Sequence, residues 1–417
     1  MDTHIGAAAP KNPRVVPTAV PRAPGSGLTL VIKLGTSSIV NEKTLFPKMS
    51  TLSLLIETVH EMRLMGHRVI IVSSGAVGMG LKRLNMTKRP QTLSQVQAVA
   101  AVGQGRLMAL YDDLFGQLDI PIAQVLLTKD TLAERSQYLN ACNTFKELLN
   151  FNTVPIVNEN DTVSNSEIRF GDNDTLSAIT AGMVNADYLF LCTDVECLYT
   201  DNPRTNPDAK AVRLVEDIAS LKVQVSSPGS SLGTGGMVTK LIAAELATAA
   251  GCSTIITIGS DPKRMLTILD EMAAHHHDSP STKFEPSVGT LFVRKPNPMV
   301  DRKWWILHGL ADRGCVYVDE GAANALRKKT SLFAAGIVDV EGVFGGDQTV
   351  KVVWKREVDV GDGKKETRIE EIGKGLVNYG SSEIARIKGC KSYEIHVVLG
   401  YVDSDCVIHR DNFVLAK

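Results

Sequence analysis

From Leu28 to about Gly259, short apolar runs alternate with longer stretches whose apolar residues recur at helical spacing. The strand-like runs are Leu28–Ile32, His67–Val72, Ile120–Leu127, Val154–Asn158, Tyr188–Cys192 and Ser253–Ile258. The helical ones are Leu45–Met65, Leu93–Phe115, Arg135–Leu149, Asp174–Asn185, with Asp174 reading as the N-cap, and Met237–Ala250. Such a chain has few ways to bury its apolar surface. The strands line up in a parallel or mixed sheet, and helices cover both faces. In open α/β sheets ligands sit beyond the carboxyl ends of the strands. That is where this sequence puts its Gly, Ser, Asp and Asn.

The first run already carries chemistry. Leu28-Thr-Leu-Val-Ile-Lys33-Leu-Gly-Thr-Ser-Ser38 delivers a lysine into a turn of glycine and hydroxyl residues. Backbone N–H groups in such turns bind anions, so a phosphate suits it. A buried strand ending in a snorkelling lysine reads equally well from this stretch alone. The second run ends in Ser73-Ser74-Gly75-Ala76.

Three later clusters add to it. Asn158-Glu159-Asn160-Asp161 and Gly171-Asp172-Asn173-Asp174 are polar turns on either side of a short connection. Carboxamides can donate to a carboxylate and Asp can accept from an ammonium, which are the groups an amino acid offers. Each turn alone reads as turn-forming and capping residues; two so close favour a site. Cys192-Thr193-Asp194 follows a strand, and a bare strand end explains it as well. Leu232-Gly-Thr234-Gly235-Gly236-Met237-Val238-Thr239-Lys240 is a glycine-rich loop that opens a helix with a lysine on its first turn. Free N–H groups, a hydroxyl and an ammonium suit a polyphosphate.

Other classes are excluded or disfavoured. There is no GxxxxGK[ST], hence no P-loop NTPase, and no HRD…DFG set, hence no protein kinase. Gly103-Gln104-Gly105 lies in a helical stretch without a third glycine at dinucleotide spacing. At ~150 residues per domain, 417 residues suggest two or three domains. The formal net charge of −1 shows no bias toward nucleic acid or membrane, and no apolar run reaches transmembrane length. The 7 cysteines are scattered, odd in number and without a CxxC, which fits a reducing compartment. Residues 1–27 are rich in Pro, Ala and Gly and lack an apolar core for a signal peptide. The prolines also forbid an amphipathic presequence helix, so a disordered arm is expected. His275-His276-His277 could be metal-seeking, but adjacent residues on a helix do not converge; 273–300 reads as a linker. From about Asp301 short β-prone runs separated by turns indicate a small β-rich domain: Cys315–Val318, Gly336–Asp339, Thr349–Trp354, Tyr393–Val398 and Cys406–His409. Glu357–Glu371 is strongly charged and reads as a solvated hairpin tip.

Taken in order, VIKLGTS, IVSSGA, NEND, GDND, LCTD and GTGGM-x-TK form a specific set. With VDEGA (Val318–Ala322), LGY (Leu399–Tyr401) and HRD (His409–Asp411) in the tail, the chain resembles the glutamate 5-kinase family of the amino-acid kinase superfamily. The resemblance runs from about Leu28 to the C-terminus. It implies a three-layer αβα amino-acid kinase sandwich over 28–272 with a mostly parallel sheet, then a PUA domain over 301–417. It implies that Lys33 contacts the transferred phosphoryl group and that Ser74, Asp161 and Asn173 hold glutamate. Thr193 and Asp194 would contact ATP. Thr234, Gly235, Gly236, Met237, Val238, Thr239 and Lys240 would cover its phosphates, with Lys240 facing the reaction centre. Asp174 stands where the superfamily keeps a lysine-organising acid. Mg²⁺ as cofactor, feedback inhibition by L-proline, a homo-oligomer and a cytoplasmic location are further expectations. The acyl-phosphate product is reactive and the chain shows no reductase region, so a partnership with glutamyl-phosphate reductase is expected as well.

The alternatives are another superfamily member, aspartokinase-like or acetylglutamate kinase-like, or an RNA-binding PUA protein. Aspartokinases end in ACT-type domains, unlike this tail. Residues 301–417 hold 18 Lys and Arg against 18 Asp and Glu, which is no electrostatic footprint for nucleic acid.

Overall fold

The computed structural model describes residues 27–128, 135–164, 173–218, 221, 236–278, 283–295, 312–346, 348–359, 365–402 and 404–416. Strand β1 (Thr29–Leu34) is buried along its whole length in an eight-stranded sheet. The others are β2 (Arg68–Ser73), β3 (Ile122–Leu127), β4 (Val154–Glu159), β5 (Tyr188–Thr193), β8 (Leu214–Val215), β9 (Ser253–Ile258) and β10 (Thr290–Phe292). Their order is β3-β4-β2-β1-β5-β9-β10-β8, with β6 (Leu198–Tyr199) and β7 (Ala211–Val212) forming a small separate hairpin. Pairing is parallel from β3 to β9; β10 runs antiparallel to β9, and β8 pairs parallel with β10.

Side chains alternate across a strand, and β1 shows the consequence. Leu30, Ile32 and Leu34 enter one apolar layer, with α2 (Met49–Leu64), α4 (Leu93–Gly116) and α8 (Arg264–Asp278). Val31 enters the other, with α5 (Arg135–Asn150), α6 (Asn173–Met183) and α7 (Met237–Ala249). Two short helices, α1 (Thr36–Ile39) and α3 (Ala76–Arg83), follow β1 and β2 directly. The α/β sandwich expected from the alternation is the fold observed. A second sheet, β12-β11-β13-β14-β15, holds the C-terminal core: β11 (Gly314–Val318), β12 (Ile337–Gly342), β13 (Thr349–Asp359), β14 (Lys365–Leu376) and β15 (Phe413–Leu415). Helices α9 (Glu320–Arg327), α10 (Ser381–Ile387) and α11 (Ile395–Leu399) pack with it.

Four expectations need correction. The stretch 273–300 is not a simple linker: α8 runs on to Asp278, His275 packs its ring against Phe284, and Thr290–Phe292 is a strand of the first sheet. Burial of Leu291 and Phe292 is what draws that segment in. Tyr393–Val398 is not a strand but a 3-10 turn leading into α11. Its Val397 is exposed and Ile395 buried, so the run has no two-faced alternation to place in a sheet. Cys406–His409 forms only a single bridge, Ile408 to Leu332. Asp174 is not an N-cap, since α6 begins one residue earlier and Asp174 lies inside its first turn, fully buried.

One glycine of α4 and one of α3 have a packing reason. A Cβ on Gly103 would lie 1.7 Å from the Ala76 carbonyl oxygen, and one on Gly80 would lie 1.9 Å from that of Val99. Helices α3 and α4 therefore touch backbone to backbone. The space around Gly105, by contrast, is open. Gly103→Ala is expected to lower unfolding free energy by at least about 1–3 kcal/mol. Gly105→Ala should raise it by up to about 1 kcal/mol. Urea denaturation of both variants checks the opposite signs.

Candidate active site

Alternation along β1 gives Lys33 the same face as Val31, toward α6 and α7. There it meets Asp174, one turn into α6, and Lys240, at the start of α7. Lys33 Nζ lies 2.6 Å from Asp174 Oδ1 and Lys240 Nζ 3.2 Å from Oδ2. All three are buried, at 4%, 6% and 0% exposure for Lys33, Lys240 and Asp174. The Thr239 hydroxyl sits 2.7 Å from Asp174 Oδ2 and accepts the Gly236 N–H at 3.0 Å, which ties the helix start to the same carboxylate. Burial pushes the Asp174 carboxyl up, but the two ammonium groups more than reverse this and lower it to about 2. One carboxylate thus holds two cations, leaving an excess positive charge at the carboxyl end of the sheet. That excess suits a phosphoryl group in transit.

A neutral polar cluster lies beside it. Asn173 Nδ2 is within 2.9 Å of both Ser74 Oγ and Asn158 Oδ1 and 3.1 Å from the Ser73 carbonyl oxygen. Asn158 donates its own Nδ2 to Gln104 Oε1 at 2.9 Å. Ser73 is tied to the buried Tyr111 hydroxyl at 2.9 Å. Asp161 sits in the turn three residues past Asn158, where its N–H donates to the Glu159 carbonyl at 3.0 Å. Two chain segments distant in sequence, the end of β2 and the start of α6, thus present serine and carboxamide groups to one place.

At the end of β5, Thr193 Oγ1 donates to Asp194 Oδ1 at 3.1 Å, and Arg204 reaches Asp194 Oδ2 at 2.6 Å. Burial raises the Asp194 carboxyl, and its own N–H together with Arg204 more than compensate, so it stays ionised. Cys192 is no nucleophile: burial pushes its thiol up to about 12 against the pull of Lys33 and Lys240. Met237 packs into the second apolar layer while Val238 is exposed. Thr234 and Gly235 lie outside the described residues, as do Gly171 and Asp172. The phosphate-seeking turn after β1 is held from outside by Lys48, whose Nζ donates to the Ser37 carbonyl at 2.6 Å.

Sequence reasoning singled out Lys33, Asp174 and Lys240, and the structure brings them into direct contact. It named Thr239 without seeing it as a partner of Asp174, and it missed Lys48 and Arg204, which belong to no motif. Gln104 was set aside with its glycines; only the fold shows it against Asn158.

Comparison with known proteins gives a consistent picture. Residues 29–257 match the family described as "Amino acid kinase family", and residues 314–399 match "PUA domain". A protein of Schizosaccharomyces pombe described as a probable glutamate 5-kinase is 52% identical over 93% of this chain and 93% of its own length. The glutamate 5-kinase of Cyanothece sp. is 48% identical over 93% of this chain and 99% of its own. That of Synechococcus elongatus is 46% identical over the same shares.

Asp174→Asn removes the counter-charge from two buried ammonium groups and is expected to destabilise the fold by about 3–5 kcal/mol near pH 6. Because the carboxyl is depressed from 3.8 to about 2, its contribution is fully present above pH 3.8 and lost only as pH falls through about 2. Urea titrations of both proteins from about pH 6 to 2 check this. The wild-type advantage should stay flat down to about pH 4 and shrink below it.

Proposed function

We propose a residue-level mechanism from the premise that this chain belongs to the glutamate 5-kinases of the amino acid kinase family. The enzyme uses ATP to phosphorylate L-glutamate, the first step of L-proline biosynthesis. The acceptor is the side-chain carboxylate, and the product is L-glutamyl 5-phosphate. Aspartokinase-like and acetylglutamate kinase-like readings give way to relatives at 46–52% identity over nearly the whole chain.

A glutamate carboxyl has an ordinary pKa near 4.3, so the nucleophile is already ionised at neutral pH. No general base is required. The barrier is electrostatic: an anion must approach a polyanion in line. The observation that carries the mechanism is the buried Lys33–Asp174–Lys240 group. The two ammonium groups neutralise the phosphoryl as it passes between oxygens, while Asp174 keeps both aimed. Asp174 is the organiser and takes no proton, since its carboxyl lies far below neutral. Ser74, Asn173 and Asp161 hold glutamate. Thr193, Asp194 and the segment Thr234 to Lys240 hold ATP. Mg²⁺, bound together with ATP beside these residues, would supply further charge neutralisation.

L-proline as feedback inhibitor, glutamyl-phosphate reductase as the enzyme that consumes the acyl phosphate, a homo-oligomer and a cytoplasmic location belong to the same reading. RNA binding by the PUA domain is the second reading; the equal count of 18 basic and 18 acidic residues in 301–417 speaks against it, and a regulatory or assembly role is equally compatible with the tail. No helix among the described residues is long and apolar enough to cross a membrane.

Lys33→Ala and Lys240→Ala should each lower kcat by about 10²–10³ in folded protein. Near-normal kcat in either variant refutes the assignment. Ser74→Ala and Asn173→Ala should raise KM for glutamate more than for ATP; the reverse pattern would mean the two subsites are exchanged. A coupled assay with ATP, Mg²⁺ and glutamate, with and without L-proline, reads both.

A further inference from the structure

Gln104 projects from α4 between the buried Gly103 and the exposed Gly105 and ends a chain of amide hydrogen bonds. The direction of every bond follows from groups that cannot exchange roles. The Glu159 backbone N–H can only donate, and it donates to Asn158 Oδ1 at 2.9 Å. The Ser73 carbonyl can only accept, and it takes Asn173 Nδ2 at 3.1 Å. Asn158 must therefore turn its Nδ2 to Gln104, whose Oε1 accepts at 2.9 Å. Gln104 Nε2 is left buried with no hydrogen-bond partner among the described residues. At the other end, Asn173 Nδ2 is 2.9 Å from Ser74 Oγ. The two protons of Asn173 Nδ2 are shared among Ser73 O, Asn158 Oδ1 and Ser74 Oγ, and an amide nitrogen cannot accept, so the Ser74 proton is turned away from Asn173, toward where a carboxylate would sit.

Without an acceptor at position 104, Asn158 Nδ2 would be an unpaired buried donor. Rotating the Asn158 amide to relieve that would break its bonds from both Glu159 and Asn173. We propose that Gln104 is a positioning residue of the glutamate subsite: through Asn158 it fixes the orientation of Asn173 and hence the donor face of Ser74. The unfilled Nε2 supports a role beyond packing, because a helix residue kept only for stability gains nothing from an orphaned buried amide. The assignment rests on the reading that Ser74 and Asn173 hold glutamate.

Steady-state kinetics of wild type, Gln104→Met, Ser74→Ala and the double variant test it, with thermal melts to confirm folding. Gln104→Met should raise glutamate KM about ten-fold, the loss expected when a buried donor is orphaned. ATP KM should stay within about two-fold, and the double variant should fall short of the product of the single effects. Should Gln104→Met not fold, Gln104→Asn, which keeps the amide but falls a methylene short of Asn158, takes its place in the cycle. If Ser74→Ala raises glutamate KM while the Gln104 variant does not, the proposal is overturned and the subsite reading stands. Equal rises in ATP KM, or effects that simply multiply, overturn it too. If Ser74→Ala itself leaves glutamate KM unchanged, the subsite reading fails, and the proposal with it.

Discussion

The structure depends on one buried carboxylate. Asp174 has no exposed surface and binds two ammonium groups that arrive from opposite ends of the kinase region. Burying one such charge unpaired would be prohibitive. The arrangement therefore constrains three elements at once: β1 must present Lys33 on the α6 face, α6 must begin where Asp174 points inward, and α7 must open with Thr239 and Lys240 beside it. Closing the helix start on the carboxylate through Thr239 makes the glycine-rich loop before it part of the same network.

Two neighbouring environments divide the chemistry. The lysine pair is a region of fixed positive charge in a dry setting, where electrostatic effects are strong. Beside it the Ser74–Asn173–Asn158–Gln104 chain carries no net charge and offers directed donors and acceptors. The first suits a phosphoryl group that is anionic whatever it is attached to. The second suits discrimination, because hydrogen-bond direction distinguishes a carboxylate from an ammonium. Helix α4 supports this second region from behind. It packs backbone to backbone against α3 at Gly103 and Gly80, next to Gln104 in sequence.

Much of this was legible in the linear chain. The alternation of apolar runs and helical stretches is a direct consequence of strands buried on both faces, and it carried the sandwich and the locations of Lys33, Ser74, Asn158, Asn173 and Lys240 at strand and helix ends. The second domain was less legible. Tyr393–Val398 looks like a strand by residue type, and only the burial of Ile395 with exposure of Val397 reveals a helix. Lys365–Leu376 forms a strand although much of its first half reads as charged surface: its backbone pairs with β13 from end to end, and β15 joins its other side at Gly373–Gly375.

By itself the sequence determined the α/β architecture, the order of the phosphate- and amide-rich turns, and the ionised state of the nucleophile's class. These follow from local periodicity, from turn chemistry and from ordinary pKa values, which need no partner. Only the tertiary structure decided that Asp174 serves the lysines and does not cap its helix, that Thr239 joins them, and that Gln104 faces Asn158. Each of these is a contact between residues far apart in sequence, from 54 positions for Gln104 and Asn158 upward. Their meaning depends on which face of a strand or helix is buried against which neighbour, and no local pattern encodes that pairing.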